Sequence, residues 1–275
     1  MKKYLHSRFR HSNPYHIKYS QNFIKTKSIA SNTVRLFDIS RDHTLIEIGP
    51  GKGILTEFLL ESSNKIIAVE KDYKLYQELK NKLQDHKNLE VINQDFLEYQ
   101  LPRNNYQVIG NIPFALTSDI FRKLLNATNP PSITSLIVQR EAALRLIGEP
   151  ESLLSLSYKP WFESRIISNL NRNDFQPIPS VDVVALEIRK RDPPLISLEL
   201  REEYVKFMNL CFTSWQIDIK HSLRKLFTYK QIFAISKKLK INLNRKPSQV
   251  NFEEWIILFN TFDKYVSQDK KSLIL

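Results

Sequence analysis

Asn111-Ile112-Pro113-Phe114 brings together groups that a planar, nitrogen-bearing ligand would use. Asn111 offers a side-chain carbonyl and Ile112 a backbone carbonyl, and both can accept a hydrogen bond from an amino group. Pro113 fixes its own φ and contributes no N–H. Phe114 offers a flat face on which a base taken out of its strand could stack. Alone, the tetrapeptide reads more readily as an apolar strand end followed by a proline turn, so its setting in the chain decides.

A second set of residues could hold a cofactor. Glu47-Ile48-Gly49-Pro50-Gly51-Lys52-Gly53 follows a strand-like run, and glycines there let the backbone turn tightly and approach a ligand. Glu70 lies 21 residues after Gly49 at the end of the next β-rich run, where a carboxylate can hold both hydroxyls of a ribose. Asp95 follows the third such run and could accept a bond from an adenine amino group; Asn111 ends the fourth. The G-x-G-x-G spacing, with Ile at position 54, departs from the G-x-G-x-x-G of nicotinamide dehydrogenases. A P-loop is excluded because Lys52 is followed by Gly53.

These residues need a sheet whose strands end side by side. Residues 44–48, 65–69, 89–92, 107–109 and 133–138 read as strands, and 54–61, 73–83, 119–125 and 140–147 as helices between or after them. Such alternation predicts a parallel sheet covered on both faces, with ligands at its carboxyl edge. Residues 161–170 and 181–189 are β-rich with no room for a helix between them, and are expected to form an antiparallel hairpin at the sheet edge. After Pro193-Pro194 only helical patterns follow, over 199–212, 218–226, 230–239 and 252–265. A boundary is therefore expected near residue 192, dividing 1–192 from a small helical domain, 193–275.

Composition narrows the partners. The chain has 275 residues, 42% of them hydrophobic, enough for a sizeable core. No apolar run approaches the roughly 18 residues of a membrane span, and the first residues lack an apolar signal core, so a cytoplasmic protein is expected. The one cysteine, Cys211, permits no internal disulfide, and the six scattered histidines suggest no metal site. The formal charge is +12, unevenly placed. Residues 1–37 hold eight Lys/Arg and no acid; residues 219–250 hold nine and no acid. The other 24 of the 41 basic residues face all 29 acids, a balance of −5. Two acid-free basic blocks around an acidic middle suit a protein that grips a polyanion, with nucleic acid as the leading partner. A membrane surface is disfavoured, because neither block shows an amphipathic stripe with large apolar anchors.

With these residues in view, the chain resembles the ribosomal RNA adenine N6-methyltransferases. The resemblance rests on Tyr19-Ser20-Gln21-Asn22-Phe23-Ile24, the 47–53 loop, Glu70, Asp95, Gly110-Asn111-Ile112-Pro113-Phe114 and Phe175-Gln176-Pro177-Ile178-Pro179-Ser180-Val181-Asp182. Asn-Ile-Pro-Phe is similar to the motif of methyltransferases that alkylate an exocyclic amino nitrogen. Gln-Asn-Phe-Ile and Gly-Asn-Ile-Pro-Phe resemble the erythromycin-resistance (Erm) branch, whereas small-subunit dimethylases typically read Q-H-F-L and N-L-P-Y.

The resemblance implies a Rossmann-like class I methyltransferase: a mainly parallel seven-stranded sheet with an antiparallel edge hairpin, plus a C-terminal all-helical domain. It implies S-adenosyl-L-methionine as cofactor, mono- or dimethylation at N6 of one adenine in the peptidyl-transferase region of 23S rRNA, and resistance to macrolide, lincosamide and streptogramin B drugs. Cofactor contacts would fall to Gln21, Asn22 and Ile24 at the methionine end, to Gly49 and Gly51 through backbone, to Glu70 with Lys71 at the ribose, and to Asp95 and Phe96 at the adenine. Asn111 would hold the target amine. Arg8, Arg10, Lys18, Arg140, Lys220, Arg224 and Lys225 are the expected RNA contacts, and the chain is expected to act as a monomer without metal. Two positions depart from many Erm members, which carry Ser at Pro50 and Tyr at Phe114. The alternatives are a small-subunit dimethylase, a DNA adenine methyltransferase (whose motif usually has Pro at Ile112) and a non-catalytic RNA-binding protein.

Overall fold

The computed structural model describes residues 22–213 and 218–274. Its strands are β1 (Phe23–Ile24), β2 (Thr44–Ile48), β3 (Ile66–Glu70), β4 (Leu89–Asn93), β5 (Tyr106–Asn111), β6 (Ile133–Gln139), β7 (Phe162–Leu170), β8 (Phe175–Gln176) and β9 (Val183–Lys190). The helices in the first two-thirds are α1 (Lys27–Arg35), α2 (Thr56–Leu59), α3 (Tyr73–Lys82), α4 (Thr117–Leu125), α5 (Arg140–Ile147) and α6 (Leu153–Tyr158). Then come α7 (Arg201–Thr213), α8 (Ile219–Leu223), α9 (Tyr229–Leu239), α10 (Phe252–Tyr265) and α11 (Gln268–Ile274).

Seven strands form one sheet in the order β4-β3-β2-β5-β6-β9-β7, the expected Rossmann-like arrangement, with β7 at the edge beside β9. The pairings of β2 with β3 and β5, of β3 with β4, and of β5 with β6 are parallel. From β2 the chain builds outward through β3 and β4, then returns to lay β5 on the other side of β2. Such a reversal opens a crevice beyond the carboxyl ends of the two strands. Register makes the crevice specific: Ile48 pairs with Gly110, so the turn after β2 and Asn111 emerge together. Gly110 is required there by close approach, because a Cβ would stand 2.9 Å from the Ile48 carbonyl oxygen.

The sheet is held by β-branched and aliphatic side chains that are buried along β2, β3, β5 and β6. Strands covered on both faces read as continuous apolar runs. The 54–61 segment is less helical than expected: only Thr56–Leu59 is α-helix, and the residues before it are turn. Between β7 and β9 lies a short 3-10 turn, then β8, which pairs antiparallel with β1 (Phe23↔Gln176, Ile24↔Phe175).

By compactness the chain divides into two units. One comprises residues up to Arg140 together with Ile166–Glu187; the other comprises Glu141–Arg165 together with Ile188–Leu275. Residues 141–165 thus group with the helical part, a division drawn differently from the compositional break at 192. The second unit has an aromatic core, with Tyr204 edge-on to Phe259 at 5.0 Å and Phe207 edge-on to Trp255 at 6.2 Å. Cys211 is buried in it, which pushes its thiol pKa upward. No described helix is long and apolar enough to cross a membrane.

Candidate active site

A cavity of about 320 Å³ opens at the crevice and is lined by Asn22, Ile24, Glu47, Gly49, Gly51, Glu70, Asn111, Pro113 and neighbouring residues. Gly49, Gly51 and Gly53 all have positive φ, at 60°, 58° and 75°. At Gly51 this lets the backbone N–H point at the Glu70 carboxylate (Oε2, 3.0 Å). A Cβ at Gly51 would also stand 2.9 Å from the Phe23 ring. The other Glu70 oxygen accepts from the Asp72 N–H at 2.8 Å, next to the point where Asp72 caps α3 by accepting from Lys74 N and Leu75 N. Burial raises the Glu70 pKa, and the Asp72 and Gly51 N–H groups offset part of that rise.

Glu47 is the second buried carboxyl of the cavity. Its pKa is pushed up to about 7, chiefly by burial; the nearby Thr56 hydroxyl opposes the rise and the Glu70 charge adds to it. Glu47 Oε2 and Thr56 Oγ1 are both buried without meeting hydrogen-bond geometry to any partner, so Thr56 offsets the rise without satisfying either atom. A carboxyl so placed is suited to a cation entering the cavity.

Asn111 donates from Nδ2 to the backbone oxygen of Asn22 at 2.6 Å. A carbonyl only accepts, so this contact fixes which end of the amide is nitrogen and leaves Oδ1 as the acceptor. Asn22 is held by its neighbours: Phe23 and Ile24 pair with β8, and Lys25 N donates to Asp174 O at 2.9 Å. Ile112 is buried. Phe114 is half-buried, packs on the hydrophobic core beneath the sheet and starts a 3-10 turn closed by Leu116 N to Pro113 O at 2.9 Å.

Lys71, Asp95 and Phe96 form a separate cluster that does not line this cavity. Lys71 Nζ donates to Asp95 Oδ2 at 2.8 Å, and Leu97 N donates to Asp95 Oδ1 at 2.8 Å. Burial alone would raise the Asp95 pKa, but Lys71 and the Leu97 N–H together hold it below the usual carboxylate range. Phe96 is buried and stacks on Tyr99 with centroids 6.4 Å apart. Among the expected RNA contacts, Arg140 Nη1 donates to Asn169 Oδ1 at 2.7 Å, while Lys220, Arg224 and Lys225 lie in the helical unit. Gln21, Arg8, Arg10 and Lys18 lie outside the described residues. Sequence reading did not assign Glu47, Lys25, Lys52 or Gln176, all of which line the cavity. Among the described residues no group of three or more His, Cys, Asp or Glu could hold a metal ion.

Residues 12–264 match the family model for ribosomal RNA adenine dimethylase. An rRNA adenine N-6-methyltransferase of Bacillus licheniformis is 32% identical over 91% of this chain and 88% of its own length. A ribosomal RNA small subunit methyltransferase A of Mycoplasmopsis pulmonis is 30% identical over 88% of this chain and 96% of its own. The crystal structure of the 23S rRNA methyltransferase ErmE superposes with a TM-score of 0.81 at 28% identity, covering 88% of this chain and all of that one.

Proposed function

Because the chain belongs to the ribosomal RNA adenine dimethylase family, we propose that it methylates N6 of one adenine in the peptidyl-transferase region of 23S rRNA, using S-adenosyl-L-methionine, with macrolide, lincosamide and streptogramin B resistance as the outcome. The observation that carries this reading is the fixed Asn111 amide, whose Nδ2 is committed to Asn22 and whose Oδ1 is left for an amino group.

The cavity fits the cofactor. Two buried carboxyls, one with an unpartnered oxygen, stand beside a glycine turn, a donor set matched to a cation that also carries hydroxyls. Glu70 would hold the ribose, Gly49 and Gly51 would approach through backbone, and Asn22 and Ile24 with Gln21 would cover the methionine end. Lys71, Asp95 and Phe96 would take the adenine side. The cofactor supplies a methyl carbon on a sulfonium, already electrophilic.

An adenine amino nitrogen is a poor nucleophile, because its lone pair is delocalised into the ring. Asn111 Oδ1 and the Ile112 carbonyl would accept its two hydrogens and aim it, an effect of positioning. Those bonds strengthen as positive charge develops on the nitrogen. Phe114 would stack on the extruded base. The motif holds no side chain suited to be a general base, so the proton leaves to solvent. Basic residues, Arg8 and Arg10 in the first basic block, Arg140, and Lys220, Arg224 and Lys225 in the helical part, would contact phosphates outside the pocket.

The 23S assignment is supported by the likeness to ErmE and by Gln21-Asn22-Phe23-Ile24 and Asn111-Ile112-Pro113-Phe114. A second reading, 16S dimethylation, is favoured by the relative named for the small subunit. Methyl transfer to protein-free 23S RNA, run beside assembled small-subunit particles, separates the two. Label entering 23S RNA supports the proposal; label entering only the particles overturns it in favour of the second reading.

A further inference from the structure

The helical unit carries an aromatic face that the methyl-transfer site does not use. Tyr229 and Phe233 are 71% and 61% exposed, although large aromatic side chains usually bury most of their surface. Four residues apart on α9, they stand on one side of the helix. With Lys220, Ser236, Asn242 and Asn244 they line a cavity of about 120 Å³.

This cavity is built into the fold. Thr228 and Gln231 form a capping box that fixes the start of α9. Lys240 caps its end with φ 55°, turning the chain back. The returning segment is pinned: Ser236 Oγ donates to Ile241 O at 3.0 Å, and Lys220 N donates to Leu243 O at 3.0 Å. Arg245 Nε donates to Asn242 O at 3.0 Å. The amide side chains of Asn242 and Asn244 are therefore presented from a fixed backbone beside two flat rings.

Charge says what covers this face. It lies within residues 219–250, which hold nine Lys/Arg and no acid. Lys220, Lys230 and Lys237 form no ion pair among the described residues. A second protein copy of like charge would be repelled; a polyanion with flat, apolar bases would be attracted. Aromatic rings beside a basic surface are how single-stranded nucleic acid is held without base pairing.

We propose that Tyr229 and Phe233 form a second nucleotide site, on which one or two unpaired RNA bases stack while Lys220 and Lys230 contact the flanking phosphates. The inference rests on the reading that this chain acts on RNA. The site would grip a loop or bulge of the substrate away from the target adenine, adding recognition of unpaired RNA to the general attraction of the basic block.

The test compares the full-length parent with Tyr229→Ala/Phe233→Ala, Tyr229→Phe/Phe233→Tyr and Lys220→Gln/Lys230→Gln. The probes are a single-stranded RNA of about ten nucleotides and a blunt, fully paired RNA duplex of about ten base pairs. The double alanine variant should bind the single strand about tenfold more weakly, keep its affinity for the duplex and keep the salt slope. The aromatic swap should bind as the parent does. The lysine variant should weaken binding to both RNAs and lower the salt slope by about one to two. Parent-like binding of the single strand by the alanine variant, or equal losses on both RNAs, overturns the proposal. So does a parent that sediments as a dimer which the alanine variant breaks, since the face would then join two copies. Methyl transfer to 23S RNA is measured on the same preparations. An inactive parent counts against the enzymatic reading, whereas an active parent with unchanged variant binding counts against this site alone.

Discussion

The side-chain nitrogen of Asn111 lies 2.6 Å from the backbone oxygen of Asn22, although the two residues are 89 positions apart in the chain. One contact thus orients the amide proposed to hold the target amine and ties it to the segment that lines the cofactor cavity. Replacing Asn111 by Asp removes the only donor in that contact and sets a carboxylate against a carbonyl. Single-turnover methyl transfer should fall by about 10²-fold or more for Asn111→Asp, with RNA affinity held at the parent value. Parent-like turnover would show that the amide orientation is irrelevant.

Glu70 has two roles that separate experimentally. It is proposed to hold the cofactor ribose, and it satisfies the Gly51 and Asp72 N–H groups. Glu70→Ala should weaken cofactor binding by about tenfold or more in calorimetry, the scale of a lost charge-assisted contact. It should also lower Tm, because two backbone donors lose their acceptor at a cost of about 1–3 kcal/mol each. RNA binding should not change. An unaltered cofactor affinity would remove Glu70 from the site even if Tm fell.

Glu47 should make the protein respond to pH near neutrality. Its carboxyl is pushed up from 4.5 to about 7, chiefly by burial. Between those values the folded chain keeps the proton that the unfolded chain has lost. The unfolded state then binds fewer protons, so this group's contribution to stability falls as pH rises through the window and stops changing above about 7. A cation in the cavity favours the ionised carboxyl, so cofactor affinity should rise with pH across the same range and then level. Glu47→Gln should flatten both profiles; identical slopes in parent and variant would assign the pH dependence elsewhere.

Phe114 combines packing with the proposed stacking, since it touches the hydrophobic core while remaining half-exposed. Phe114→Tyr keeps the ring and should be nearly neutral. Phe114→Ala should lose about 1–3 kcal/mol of base stacking, seen as slower transfer to RNA with cofactor affinity unchanged. Full turnover in the alanine variant would leave Phe114 as a packing residue only.

Much of the site was legible because parallel strands carry strong local signals. The apolar runs of β2, β3, β5 and β6 and the glycines after β2 place Gly49, Glu70 and Asn111 at one sheet edge from the sequence alone. Glu47 was not singled out, because a strand buried on both faces shows no alternation to tell an inward acid from a solvated one. Gln176 was missed for a different reason: β1 and β8 are two-residue strands that pair across about 150 positions, and no local period encodes such a pairing. No helix was expected at Lys27–Arg35 (α1) or at the six-residue Leu153–Tyr158 (α6). Assignment of 141–165 to the helical unit depends on packing, which a compositional break at the Pro193-Pro194 pair does not report.

The central claim is that Asn111 and its neighbours methylate one adenine of 23S rRNA. Its most direct test is mass spectrometry of nuclease fragments of 23S and 16S rRNA from cells expressing the parent or Asn111→Ala, beside a primer-extension stop map of the same RNA. The expected result is one new N6-methylated adenosine in the peptidyl-transferase region of 23S rRNA, present with the parent and absent with Asn111→Ala, with a primer-extension stop there when it carries two methyls. N6-methylated adenosine appearing in 16S rRNA instead, in neither RNA, or in 23S rRNA of the Asn111→Ala cells as well would contradict it.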